Sequence, residues 1–116
     1  MSDQMTSRVA TAVMCASALM MACPWAGAQT ADKVFAGADR KAGMLLHQEK
    51  NCMACHAQRT GGDGSNIYTR TDRKVTTPVK LLAQVAMCNI RLSSAMFPDD
   101  ERDVAAFLNH DYYHFK

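Results

Sequence analysis

Apolar residues recur at helical spacing in three stretches of the chain, and no two alternating stretches read as a strand pair. The first stretch, Ala38 to His47, suits a helix that begins near Asp39, with the acid beside the helix's positive end and Met44 on the core side. Lys50 to His56 reads as a short helical turn. Gln58 to Asn66 contains Gly61-Gly62-Asp63-Gly64 and reads as a loop. Thr77 followed by Pro78 has the form of an N-cap with proline at the first helical position. The helix it opens runs through Val79, Leu81, Leu82, Val85, Ala86, Met87 and Ile90, with Met87 at core spacing from Leu82, Val85 and Ile90. Ser93 to Pro98 breaks it. A last helix starts at Asp99-Asp100-Glu101 and carries Val104, Ala105, Phe107 and Leu108. The fold class expected is all-α.

The N-terminal segment reads differently from the rest. Met1 to Arg8 holds one basic residue, and Val9 to Ala22 is almost wholly apolar. That run is too short for a membrane helix but suits the core of a signal peptide, and Ala26-Gly27-Ala28 supplies small residues where a signal peptidase cuts. Residues 1–28 are therefore expected to be a cleaved signal peptide and residues 29–116 one exported, periplasmic domain. Lipid attachment at Cys23 is the minor alternative, because Met20-Met21-Ala22-Cys23 lacks the usual leucine three residues before the cysteine. No membrane insertion is expected once the segment is gone.

Composition narrows the function classes. The chain has 116 residues, a formal charge of +2, 21% charged and 48% hydrophobic residues. That allows one small domain and excludes a multidomain enzyme. With no basic stripe interleaved with aromatics, nucleic acid is not an expected partner. Removing the first 28 of 116 residues leaves 88, and takes away Cys15, Cys23, Trp25 and five of the nine methionines. Cys52, Cys55 and Cys88 remain. A domain of that size commonly needs a disulfide, metal or cofactor to hold its fold, and three cysteines cannot all pair with one another.

The chemistry lies in Cys52-Met53-Ala54-Cys55-His56, the C-x-x-C-H attachment signature of a c-type haem. Residues three and four apart share one face of a helical turn, so Cys52, Cys55 and His56 address the same object. Two thiols can then bond the haem vinyl groups while the histidine supplies an axial nitrogen to iron. Three other readings use part of the motif. A thioredoxin-like pair would want a preceding strand in an α/β pattern, and none is present. Zinc could take Cys52, Cys55, Cys88 and one histidine, and a Cys52–Cys55 disulfide is the plainest alternative. None of these needs a histidine directly after the second cysteine.

With these residues in view, the exported domain resembles a class I cytochrome c, a small monohaem electron carrier. The matching pieces are Ala42-Gly43-Met44-Leu45, C-M-A-C-H, Met96-Phe97-Pro98 and a last helix over Asp99 to Asn109. The resemblance implies a small helical fold wrapped around one covalently attached haem, with Gly43 packed against the aromatic Phe107. It also implies a one-electron carrier rather than an enzyme, a monomer whose partners are other redox proteins such as membrane cytochromes, oxidases or reductases. The chain departs from the pattern in two places. Ala57-Gln58 follow the motif with no proline before Pro78, and the domain lacks a tryptophan, leaving Tyr68, Arg70, Arg73 or Lys74 to hold the haem propionates. Met87-Cys88-Asn89 is similar to cytochrome c″ and the sphaeroides haem protein, in which the residue before the cysteine is a weak or detachable ligand.

The sixth iron ligand decides between two functions. A methionine thioether raises the haem potential and closes the iron, which suits electron transfer. Met96 is the first candidate, in the loop before the last helix, and Met87 is the second. With Met96 the protein is a periplasmic electron shuttle. With an open or weakly held site near Met87-Cys88-Asn89 it would bind or sense a small ligand. Met53 is expected to face away from the haem, and Cys88 to be a buried apolar side chain. His47, His110 and His114 are expected at the surface, while Arg70, Arg73, Lys74 and Lys80 form a local basic cluster.

Overall fold

The computed structural model describes residue 27 and residues 29–116, and every regular element among them is helical. In chain order these are α1 (Ala31–Val34), α2 (Arg40–Glu49), α3 (Cys52–Thr60), α4 (Asn66–Thr69), α5 (Pro78–Leu92) and α6 (Pro98–Leu108), followed by a π-helical turn over Asn109–Tyr113. The fold is all-α. No helix among the described residues is long and apolar enough to cross a membrane. The expected signal segment, with Cys15, Cys23 and Trp25, lies outside the described residues apart from Gly27.

The three long helices start where local chemistry directs. Asp39 caps α2, its Oδ1 accepting from the backbone N–H of Lys41 at 2.9 Å and of Ala42 at 3.0 Å. Thr77 Oγ1 accepts from Lys80 N at 3.2 Å, and Pro78 fills the first helical position of α5. α6 opens with Pro98 and three acids, and Asp100 Oδ2 accepts from Phe97 N at 2.8 Å.

α6 is the central element, its residues Val104 to Leu108 all buried. α2 packs across it at Gly43, where an added Cβ would overlap the Asp103 carbonyl and lie 2.8 Å from Val104 N. Gly43 thus meets the backbone of α6 at Asp103 and Val104. One turn further along both helices, His47 meets Phe107, with ring centroids 5.4 Å apart. α5 contributes Leu81 and Val85 to the core, together with Tyr68 of α4.

Two expectations need correction. Met87 and Ile90 are not core residues. Their side chains are 46% and 77% exposed, because Leu81 and Val85 turn the opposite face of α5 inward. The segment after Cys52 to His56 is partly helical, since α3 runs on to Thr60 and α4 forms one turn that carries Tyr68. The C-terminal tail is packed as well. The Asn109 amide clamps Phe115, accepting from its N–H at 2.8 Å and donating to its carbonyl at 3.2 Å. This closes the π turn and buries Tyr113, with Tyr112 and Tyr113 centroids 5.0 and 6.0 Å from that of Tyr68. His110 and His114 remain exposed, as expected.

Candidate cofactor site

A cavity of about 560 Å³ opens between α3, α5, α6 and the segment following α4. Its apolar walls are Leu81 and Val85 of α5 and Val104 and Leu108 of α6, with Tyr68 and Tyr113 beside them. α3 brings Cys52, Cys55 and His56 to this one cavity, as the helical spacing of the motif requires. Met96, from the loop between α5 and α6, lines the same space. Met87 does not; it borders a smaller depression with Lys80. Met53 is half-buried against the core.

The loop after α3 is shaped to that helix. Gly64 is buried at φ +88°, and a Cβ there would stand 2.7 Å from Met53 O, 2.8 Å from Ala57 N and 3.1 Å from His56 Cβ. Only glycine combines the left-handed backbone with so close an approach. The loop therefore seats directly on the turn carrying the motif.

The cavity suits a large apolar group with acidic substituents. Its volume falls within the usual range for ligand sites. Arg59, Arg70, Arg73, Lys74 and Arg91 line it against a single acid, Asp72. Of these, Arg70 is paired with Asp72. Arg73 donates to the Tyr68 carbonyl at 3.2 Å and lies over the Tyr113 ring, 5.1 Å from its centroid. Lys80, expected in the same cluster, lies outside the cavity. Tyr68, Arg70, Arg73 and Lys74 are thus all at hand for carboxylates, although the Tyr68 hydroxyl is already engaged.

His56 is held neutral, the form that can bind a metal, by burial first and by the Arg59 charge second. Its Nδ1 is buried without a hydrogen-bond partner in the protein. No backbone carbonyl therefore fixes the ring tautomer. Cys52, Cys55 and Cys88 are free thiols. Burial, and then Cys88, push the Cys52 thiol above its ordinary range. Among the described residues no three or more His, Cys, Asp and Glu side chains converge as a metal site, so the four-ligand zinc set is not assembled. Cys88 is half-buried rather than a buried core side chain; it lines the cavity and accepts from Gln84 Nε2 at 3.5 Å.

His47, expected at the surface, is instead only 4% exposed. Its Nε2 lies 3.0 Å from the Tyr68 hydroxyl, and both residues line the cavity. The signal was present in the sequence, since His47 stands four residues after Gly43 on the same face of α2. Burial, with His56 second, lowers its pKa from 6.5 to about 4. Unfolded His47 takes up a proton near pH 6.5, and the folded residue does so only near 4. Between those values the unfolded chain binds more protons, so this contribution is complete above pH 6.5 and fades as pH falls toward 4. We expect a loss of about 2–3 kcal/mol across that window. Urea midpoints measured at steps between neutral pH and pH 4 should show it, and His47→Gln, which keeps an acceptor for Tyr68, should flatten the profile. An unchanged slope in that variant would remove His47 as the cause.

Comparison with protein-family models, with curated proteins and with solved structures finds no match to this chain.

Proposed function

We propose that the chain is an exported, periplasmic monohaem c-type cytochrome that carries single electrons between other redox proteins. The observation that carries this reading is the convergence of Cys52, Cys55, His56 and Met96 on one apolar cavity edged with cations. Cys52 and Cys55 would hold the haem through thioethers, each formed by adding S–H across a vinyl group, and His56 would supply the proximal nitrogen. The bound haem supplies a single iron that gains and loses one electron. The protein's own part is to keep water from that iron with Leu81, Val85, Val104 and Leu108. Arg73 and Lys74 offset the acidic substituents, and the Met96 sulfur is presented as a soft sixth ligand. Met96 is favoured over Met87 because Met87 faces away from the cavity. A carrier of this kind binds no substrate, so no catalytic residue is assigned. Its partners would be membrane cytochromes, oxidases or reductases.

The test is an absorption spectrum of protein matured with a haem-attachment system, compared with Met96→Ala. The wild type should show the weak far-red band of ferric iron bound to thioether sulfur, and its reduced form should ignore carbon monoxide. Met96→Ala should lose the band and bind carbon monoxide stoichiometrically. A wild type that binds carbon monoxide readily would favour a ligand-binding or sensing cytochrome. Protein that emerges colourless would end the haem reading altogether.

A further inference from the structure

We propose that Asn89 is the positioning residue that holds Met96 at the cavity, and with it the sixth ligand of the iron. The inference rests on the reading of Met96 as that ligand. The turn joining α5 to α6 is closed at its start by main-chain bonds, Ser93 N–H to Ile90 O at 3.3 Å and Ser94 N–H to Asn89 O at 3.1 Å, and its later residues depend on side chains. Two of its residues, Ser93 at φ +50° and Ala95 at φ +54°, lie in the left-handed region without being glycine. Such backbone persists only where its surroundings over-determine it.

Asn89 supplies that constraint. Its Oδ1 accepts from Met96 N at 3.1 Å, and its Nδ2 donates to Met96 O at 2.9 Å. One amide thus engages both main-chain groups of the proposed ligand and fixes the direction from which its side chain leaves the backbone. The same Nδ2 donates to Glu101 Oε1 at 2.7 Å, tying the turn to α6. Asn89 sits one α5 turn beyond Val85, on the face that lines the cavity. A side chain of this reach offering both donor and acceptor is asparagine. Aspartate lacks the donor, and alanine lacks both groups. Both N–H groups of the amide are committed, to Met96 O and Glu101 Oε1, so it has no donor left for a ligand in the cavity.

The experiment compares haem-loaded wild type, Met96→Ala, Asn89→Ala, Asn89→Asp and the double variant Asn89→Asp/Glu101→Gln. Covalent haem staining and helicity by circular dichroism serve as controls for folding. The readouts are the ferric far-red thioether band and carbon monoxide affinity of the reduced protein. Asn89→Ala is expected to lose at least tenfold of the band intensity and to bind carbon monoxide within a fewfold of Met96→Ala. Asn89→Asp sets a carboxylate against the Glu101 carboxylate and the Met96 carbonyl, and should behave like alanine. In the double variant, the introduced carboxylate accepts from Met96 N and from the new glutamine amide, so only the Met96 carbonyl still lacks its donor and part of the band should return. If Asn89→Ala keeps the band and excludes carbon monoxide while Met96→Ala loses both, Asn89 does not position the ligand. If Met96→Ala itself keeps the band, the ligand assignment fails first and the inference falls with it. Should Asn89→Ala fail to accumulate, the aspartate pair decides: a band present in the double variant alone supports the role, and any other pattern overturns it.

Discussion

Gly43→Ala should lower the unfolding free energy by about 3 kcal/mol or more, enough to unfold much of a marginally stable domain. Helix propensity alone predicts the opposite sign, because alanine is favoured over glycine inside a helix by about 1 kcal/mol. Packing decides the outcome. The new methyl would occupy the space of the Asp103 carbonyl and press on Val104 N at 2.8 Å, and both obstacles are backbone atoms of the buried centre of α6. Neither can rotate aside, so α2 and α6 must separate. Separation also strains the Asp39 N–H to Asp103 Oδ1 bond of 2.8 Å and the His47–Phe107 ring contact, which sit on either side of Gly43. The measurement is a urea midpoint with the slope held constant. Gly37→Ala is the control, since that glycine is at φ +75° in open space and should cost only the left-handed penalty of about 1 kcal/mol. A Gly43→Ala midpoint equal to or above the wild type would show that the helices do not touch here.

Much of this architecture is written in local chemistry, and the exceptions have definable causes. The starts of α2 and α5 are legible because Asp39 and Thr77-Pro78 act within their own first turns. The motif on α3 is legible because its spacing alone puts Cys52, Cys55 and His56 on one face. His47 shares the Gly43 face of α2, which points inward, but its polar ring reads as a surface residue because the group that satisfies it, Tyr68, is 21 residues away. Met87 and Ile90 are misplaced for a different reason. α5 carries more apolar residues than one face can bury, and periodicity does not say which face α6 and Tyr68 will cover. The small residue at Gly43 is legible but its contact with the α6 backbone is not, since bare backbone leaves no mark at position 103. Of the tail, the sequence pattern places only His110 and His114, at the surface, whereas the Asn109 clamp on Phe115 folds Tyr112 and Tyr113 back onto Tyr68. The cluster of three aromatics among the last five residues is the available signal. Asn89 carries no signature of its own, because its partners are main-chain groups of a turn whose shape appears only in three dimensions.

On the haem reading proposed above, replacing Cys52 and Cys55 together by serine should abolish covalent attachment, the largest functional loss expected of any substitution. Serine keeps the size and polarity of the side chain but cannot form a thioether. The chain's hold on the haem would then fall to the axial side chains and the apolar walls. Haem staining after denaturing electrophoresis should go from full intensity to none, and acid-acetone should extract the pigment. Either single variant should keep one thioether and stain at reduced yield. Cys88→Ser is the internal control. Cys88 lines the same cavity but stands on α5, outside the paired spacing of the motif, so its loss should leave staining unchanged. Staining that survives in the double variant and disappears in Cys88→Ser would move the attachment to α5 and overturn the site as drawn. Stability should follow the pigment. Leu81, Val85, Val104 and Leu108 form one wall of the cavity and part of the only large core cluster among the described residues. A chain that cannot retain the haem must leave that wall against water or collapse around it. The double variant is therefore expected to melt well below the wild type, while Cys88→Ser melts beside it.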